Sequence, residues 1–279
     1  MAESGCLRDL AVQNLEVSGT GSINFKSDIV NSSGVPLSTV LPKTSVLDNT
    51  SRSEFLDDFS RIHNTADLTA SGRFSTGAAS YTATLIDGSA GSTQSIVATG
   101  VGTSVFPSGN VGATAFVTDE DDNDGIELQA TANSFNVTDN TEFYMETRFK
   151  VDDVDTCDLI VGLAAVDTDV IGAVSDGIYF LVKDSDADGT VTANVEKGGT
   201  VTESSDLVTL ADDTYVTLGL YKSAGNNTVT LLVNGADSGV TLAMTNLPDG
   251  AAVFPTVAFK NGSAAVSTLT MDYLYALNR

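Results

Sequence analysis

Apolar and polar residues alternate with a period of two through much of the second half of the chain. Phe143, Met145, Thr147, Phe149 and Val151 fall on one side of such a run, and Tyr144, Glu146, Arg148 and Lys150 on the other. Val216, Leu218 and Leu220 alternate with Thr217, Gly219 and Tyr221. Leu269, Met271, Tyr273, Tyr275 and Leu277 form a further apolar face, opposite Thr268, Thr270 and Asp272. Successive strand side chains point to opposite faces, so each run predicts a half-buried β-strand. Asp-Gly or Asn-Gly pairs beginning at Asp87, Asp124, Asp176, Asp188, Asn234, Asp249 and Asn261 punctuate the chain. Such pairs favour tight turns because Gly, and Asn or Asp less readily, accept positive φ. Strands at this spacing with no helix between them predict an antiparallel sandwich or barrel. Phe143, Phe149, Leu218, Leu231, Met271 and Tyr273 should lie inside it.

The first half is less regular. Residues 70–118 hold short apolar runs at 81–86, 95–98 and 113–117, split by glycines, which predicts short strands and long turns. One helix is expected over 53–63, with Ser53 as cap and Phe55, Phe59 and Ile62 on one face. The alternative there is the opening strand and turn of the domain. Residues 31–42 carry Ser, Gly and Pro and read as a linker. Residues 1–50 as a whole cannot make a core. They predict either a disordered tail or an extended arm whose apolar residues, Leu10, Val12, Leu15, Val17, Ile23 and Phe25, gain order on another surface. The expected division is therefore an arm and linker at 1–50 and a β domain at 51–279.

Composition narrows the function. With 37 Asp and Glu against 13 Lys and Arg, the formal charge is −24, which argues against nucleic acid as a partner because a phosphate-binding face needs clustered cations. A hydrophobic content of 42% excludes intrinsic disorder of the whole chain. No stretch reaches the roughly 18 apolar residues of a membrane helix, and residues 1–10 lack an apolar core of signal-peptide length, so synthesis in a cytoplasm is expected. Cys6 and Cys157 then read as free thiols. The Asn-x-Ser/Thr sites at Asn31, Asn49, Asn136, Asn226 and Asn261 read as coincidences of a Ser- and Thr-rich composition.

The order of motifs adds a resemblance. A run Phe143-Tyr-Met-Glu-Thr-Arg-Phe-Lys-Val151 is followed by Asp176-Gly-Ile-Tyr-Phe180, Tyr215-Val-Thr-Leu-Gly-Leu-Tyr221, Val229-Thr-Leu-Leu-Val-Asn-Gly235, Asn246-Leu-Pro248 and Leu269-Thr-Met-Asp-Tyr273. This succession resembles the concanavalin A-like (laminin G-like) jelly roll, most clearly over 127–277. More narrowly, the Glu-Thr-Arg-Phe-Lys-Val, Asp-Gly-Ile-Tyr-Phe and Leu-Pro-Asp-Gly segments resemble structural proteins of tailed-phage particles that decorate the capsid or form appendages. The fold this implies is all-β, a two-sheet antiparallel jelly-roll sandwich with an extended N-terminal arm. The function it implies is a virion structural protein at the capsid surface, a decoration or cement protein binding the major capsid protein through its arm. A homo-oligomer is expected, a trimer suiting threefold positions of a capsid. The alternative is a lectin-like fibre or appendage module for host-surface glycan.

Some relatives of that fold hydrolyse glycosides with a Glu-x-Asp-x-(x)-Glu strand, and no such string occurs here. The nearest pair, Glu142 and Glu146, would lie roughly 13 Å apart on a strand, too far for the separations of about 5–9.5 Å that glycosidases use. His63, the sole histidine, has no nucleophile elbow to serve. The chain is therefore expected not to be an enzyme. No cofactor is expected beyond calcium. Asp184, Asp186 and Asp188, followed by Gly189, match the start of a calcium loop. A full EF-hand would carry a bidentate Glu where Val195 stands. The acidic run from Asp119 to Asp124 is a second, weaker calcium candidate.

Overall fold

The computed structural model describes residues 53–59, 66–68, 72–75, 79–86, 94–98, 113–186 and 188–279, with two short strands at 15–17 and 23–25. Met1–Thr50 and Ser51–Arg279 are separate compact units. In the first, β1 (Leu15–Val17) pairs antiparallel with β2 (Ile23–Phe25), placing Leu15 opposite Phe25 and Val17 opposite Ile23. Leu10 and Val12, the remaining arm residues, lie outside the described residues, as does the expected linker at 31–42.

The second unit begins with β3 (Ser53–Asp57), β4 (Ala66–Leu68), β5 (Gly72–Ser75), β6 (Ser80–Ile86), β7 (Gln94–Ala98), β8 (Thr114–Val117) and β9 (Gly125–Ala130). It continues with β10 (Phe143–Val151), β11 (Cys157–Ala164), β12 (Gly177–Val182), β13 (Thr190–Lys197), β14 (Thr200–Glu203) and β15 (Val208–Thr209). The last five strands are β16 (Val216–Lys222), β17 (Thr228–Val233), β18 (Ala236–Ala243), β19 (Phe254–Asn261) and β20 (Thr268–Asn278). Apart from a single 3-10 turn at Asp184–Asp186, no helix occurs among the described residues. The first sheet runs β18-β17-β16-β10-β20-β8-β7-β4, with β3 also on β20. The second runs β14-β13-β12-β11-β19-β9-β6-β5, with β15 on β13. The unit is all-β, two antiparallel sheets packed as a jelly-roll sandwich.

Alternation explains the core. Phe143, Met145, Phe149, Val151, Leu218, Leu220 and Leu231 from the first sheet meet Ile126, Leu128, Leu159, Val161, Phe180, Val195 and Phe259 from the second. Each large side chain so buried contributes about 1.5–3 kcal/mol. Asn234 and Gly235, both at positive φ, join β17 to β18 in a two-residue hairpin flanked by the Val233–Ala236 pair.

Two expectations change. The helix over 53–63 is not formed: residues 53–57 are the strand β3, paired with β20 from Ser53–Asn278 to Asp57–Leu274. Phe55 and Asp57 are buried while Glu54 and Leu56 are exposed. Phe55 enters the core from β3, whereas Phe59 lies beyond the strand at a φ of +48° and reaches the core from the turn. Residues 60–63, including Ile62 and His63, lie outside the described residues.

The second change concerns β20. Arg148 pairs with Tyr273, but Phe149 pairs with Met271, so Asp272 is an extra residue. This bulge reverses the parity of the strand. Leu269 and Met271 point into the core as expected, but beyond the bulge Leu274 and Ala276 do so. Tyr273, Tyr275 and Leu277 instead form a separate cluster with Tyr144. Of the six expected core residues, Tyr273 alone is on the outer side.

Candidate functional site

The outer face of the first sheet is a tyrosine–carboxylate lattice. Glu146 accepts hydrogen bonds from Tyr144 at 2.5 Å and Tyr273 at 2.6 Å. Glu54 accepts from Tyr275, and Glu142 from Tyr221, each at 3.1 Å. Arg148 pairs with Asp272 and lies 4.0 Å from the centre of the Tyr215 ring. Burial, and then the charge of Glu146, hold the Tyr144 and Tyr273 hydroxyls well above their ordinary range, so they act as donors at any physiological pH. Tyrosines and carboxylates here satisfy one another across β3, β10, β16 and β20. The face is a clamp on the sheet, and the two glutamates considered as a catalytic pair, Glu142 and Glu146, are each held in it.

The second sheet differs. Register places Glu203, Asn194, Tyr179, Gly162, Thr256, Gln129 and Thr82 side by side on β14, β13, β12, β11, β19, β9 and β6. A neighbouring row holds Leu181, Ile160, Ala258, Glu127 and Thr84. Directly opposed side chains in a sheet are about 4.5–5.5 Å apart, so a polar line crosses the outer face. Part of this face is covered by the segment 165–176. Its underside is apolar: Val170 and Val174, with Ile171, pack on Ile160, Tyr179 and Ala258. Gln129 fastens it at one end, donating to Ala165 O at 3.0 Å and accepting from Asp167 N at 2.9 Å. Glu127 fastens it further along, Oε2 accepting from Val170 N at 2.8 Å.

Glu127 is 1% exposed, and its Oε1 has no hydrogen-bond partner among the described residues. Burial pushes its carboxyl up to about 7; Asp167 and Asp169 push the same way, while the Val170 amide opposes them. Asn194, fully buried on the same face, also has an Oδ1 without a partner. Tyr179 donates to Glu196 at 2.6 Å. A buried acid of perturbed pKa beside convergent polar groups is the usual mark of a functional face. Next to the covering segment opens a cleft of about 200 Å³, lined by Thr82, Thr84, Gln129, Asp167, Thr168 and Phe254. Val166, 69% exposed, stands at its rim.

The calcium candidates are placed as follows. Asp184 N donates to Asp158 Oδ1 at 3.1 Å, and the Asp184 carboxylate packs over Gly262, where an added Cβ would lie 2.2 Å from Cγ. Asp188 Oδ1 accepts from Thr190 N at 3.0 Å, closing the turn at Gly189, whose φ is +62°. The side chain of Asp186 lies outside the described residues. Among the described residues, no three His, Cys, Asp or Glu side chains gather to hold a metal, at 184–188 or at 119–124. Cys157 is buried, and burial pushes its thiol up; Cys6 lies outside the described residues. Sequence reasoning missed Glu127 and Gln129. Their only local signal is alternation with Ile126 and Leu128, which marks them as outward but not as covered.

No family model matches the chain, and no curated protein matches it in sequence. Solved structures are similar to it at low identity. The carbohydrate recognition domain of Emp46p is 13% identical, with 66% of this chain and 87% of that one covered and a TM-score of 0.44. A carbohydrate esterase from the Shiga toxin-encoding bacteriophage phi24B is 12% identical, with 71% and 89% covered and a TM-score of 0.41. The endo-1,3-beta-glucanase of Streptomyces sioyaensis is 11% identical, with 82% and 97% covered and a TM-score of 0.47.

The second unit is an all-β, two-sheet antiparallel jelly-roll sandwich. Likenesses this distant concern the sandwich alone. They nevertheless correct the expectation that the chain is not an enzyme, since an esterase and a glucanase share the architecture. That expectation rested on one missing carboxylate motif, which excludes one catalytic arrangement and no other. The carbohydrate recognition domain of Emp46p is known in metal-free and potassium-bound forms.

Proposed function

We propose that the jelly roll is a glycan-binding module that holds a carbohydrate in the cleft between β6, β9, β19 and the 165–168 segment. The mixed lining of that cleft carries the reading. A sugar ring has apolar C–H faces and a rim of hydroxyls. Phe254 and Val166 supply apolar surface; Thr82, Thr84 and Thr168 supply hydroxyls; Asp167 supplies a carboxylate. Asp167 is pre-oriented, its Oδ1 accepting from Thr168 N at 2.6 Å and Asp169 N at 3.2 Å, so little ordering is needed on binding. The volume lies below the roughly 300–1,000 Å³ of drug-sized pockets, which suits one ring of a chain lying across the face. A glycan array with the full chain, followed by titration of the best hits, tests it. Phe254→Ala and Thr82→Val should each weaken binding about tenfold or more. An array without hits, or hits indifferent to both substitutions, excludes the cleft.

A second reading puts the protein on a virion as a capsid decoration protein, with the major capsid protein as partner and residues 1–50 as tether. The division of the chain into Met1–Thr50 and Ser51–Arg279 supports it, together with the order of the phage-like motifs. Co-sedimentation with capsids compares the full chain with 51–279. Loss of capsid binding on truncation favours the tether, and unchanged saturation rules it out.

A further inference from the structure

We propose that the 165–176 segment is a proton-held strap, closed over the outer face of the second sheet while Glu127 is protonated and opened when Glu127 ionises. It deepens the glycan-binding reading, on which it rests only for what the uncovered face would hold.

The strap is fastened to β9 at alternate residues. Gln129 holds Ala165 and Asp167 through its amide, a group that does not titrate. Glu127 holds Val170 through one carboxylate oxygen, while the other has no partner. One clasp is therefore fixed and one is chargeable. A protonated carboxyl at this position still accepts the Val170 amide through Oε2. An ionised one is a charge buried with a single donor, and burial of an under-solvated charge is costly. The surroundings offer no relief. Glu127 faces Thr84 on β6 and Ala258 on β19, neither of them charged, and Asp167 and Asp169 on the strap itself. Lys260, two residues along β19 from Ala258, is engaged by Asp158 at 3.1 Å. Opening the strap returns the carboxylate to water and separates it from the two aspartates. It also bares Ile160, Tyr179 and Ala258, which Val170 and Val174 cover in the closed form. That newly open surface is continuous with the polar line of Tyr179, Thr256 and Gln129 and adjoins the cleft, so an open strap lengthens the binding face.

The sign follows from linkage. The closed form raises the Glu127 pKa from 4.5 to about 7. Closure is favoured fully below pH 4.5 and weakens as pH rises through 7. Between pH 5.5 and 8 this corresponds to about a thirtyfold rise in the open-to-closed ratio.

Hydrogen exchange of the full chain, read by mass spectrometry and corrected for intrinsic rates, tests the strap. Protection of the Asp167 and Val170 amides should fall about thirtyfold between pH 5.5 and 8, while β11 amides keep theirs. Glu127→Gln retains an acceptor for Val170 N and cannot ionise, so its strap should stay protected at both pH values. Asp167→Asn should move the wild-type transition to lower pH, which keeps the test decisive if Glu127→Gln does not fold. Equal protection at both pH values in the wild type, or the same loss in Glu127→Gln, overturns the proposal. Glycan titrations at the two pH values separate it from the reading it deepens: a pH-dependent strap with no glycan bound sinks only that reading, and glycan bound beside a pH-indifferent strap sinks only this one.

Discussion

Arg148 and Asp272 form an ion pair at the one place where the register between β10 and β20 slips. Arg148 pairs with Tyr273, its neighbour Phe149 pairs with Met271, and the residue left over is the one that holds the guanidinium. The bulge therefore has a local reason for its position. Its consequence is larger, because every side chain after it changes face.

Asp272→Ala should destabilise the domain by about 1.5–3 kcal/mol, the usual worth of a hydrogen bond to a charged group, measured by urea denaturation. Deleting Asp272 is a different change. It would remove the bulge and place Tyr273 directly after Met271, so plain alternation would keep Tyr273 and Tyr275 outward and Leu274 and Ala276 inward. A cooperative transition should remain, with its urea midpoint lowered by the loss of the Arg148 pair.

Phe149→Ala removes a ring that is 1% exposed between the sheets. A cost of about 3–5 kcal/mol is expected from lost burial plus the cavity. A value below about 1 kcal/mol would mean the site collapses without loss and that its packing was misjudged.

Tyr81 donates to Asp57 Oδ2 at 2.7 Å, and both side chains are fully buried. Asp57 also accepts from Phe59 N at 2.9 Å through Oδ1. This carboxylate ties β6 of the second sheet to the end of β3 in the first. Tyr81→Phe keeps the ring and removes the donor. The expected loss is about 1.5–3 kcal/mol, and an unchanged urea midpoint would show that another donor replaces the hydroxyl.

Lys222 is fully buried, and Nζ donates to the carbonyls of Thr138, Asp139 and Thr141 at 2.8–3.1 Å. The cation gathers these carbonyls at one point, although Thr138 O and Asp139 O also accept from Thr141 N and Gly225 N. Lys222→Met fits the same volume but removes the charged donor from all three carbonyls, at a cost on the order of 3 kcal/mol. Hydrogen exchange should localise the loosening to residues 138–142.

The raised Glu127 pKa makes a separate statement about global stability. The group binds its proton more tightly folded than unfolded. Its contribution is fully present below pH 4.5 and is lost as pH rises through about 7. The wild-type melting temperature should therefore fall relative to Glu127→Gln over that window. Parallel profiles for the two proteins would remove Glu127 as the source.

Alternation made most of the sandwich readable. The inward faces of β10 and β16, the hairpin at Asn234-Gly235 and the absence of long helices among the described residues all follow from neighbours within about ten residues. The segment at 53–63 misled because Phe55, Phe59 and Ile62 match a helical spacing, and only the pairing of 53–57 with β20 shows a strand that ends before Phe59. Tyr273 misled for the opposite reason. The run from Leu269 to Leu277 is unbroken in sequence, and the slip at Asp272 exists only against β10.

The candidate site was the least readable part. Glu127 and Gln129 are visible as outward-facing polar residues on a strand, an arrangement that ordinarily means contact with water. Whether such a face is wet or covered depends on a segment some forty residues later, whose valines lie on Ile160 and Ala258. Local pattern by itself determined that this chain forms an acidic antiparallel sandwich, because strand period, turn chemistry and charge are written in adjacent residues. Tertiary structure alone decided which tyrosines leave the core, which carboxylates bind them, and which glutamate is shut away from solvent. Those outcomes depend on register and burial between strands distant in sequence, where a one-residue slip or one covering loop reverses what a side chain meets.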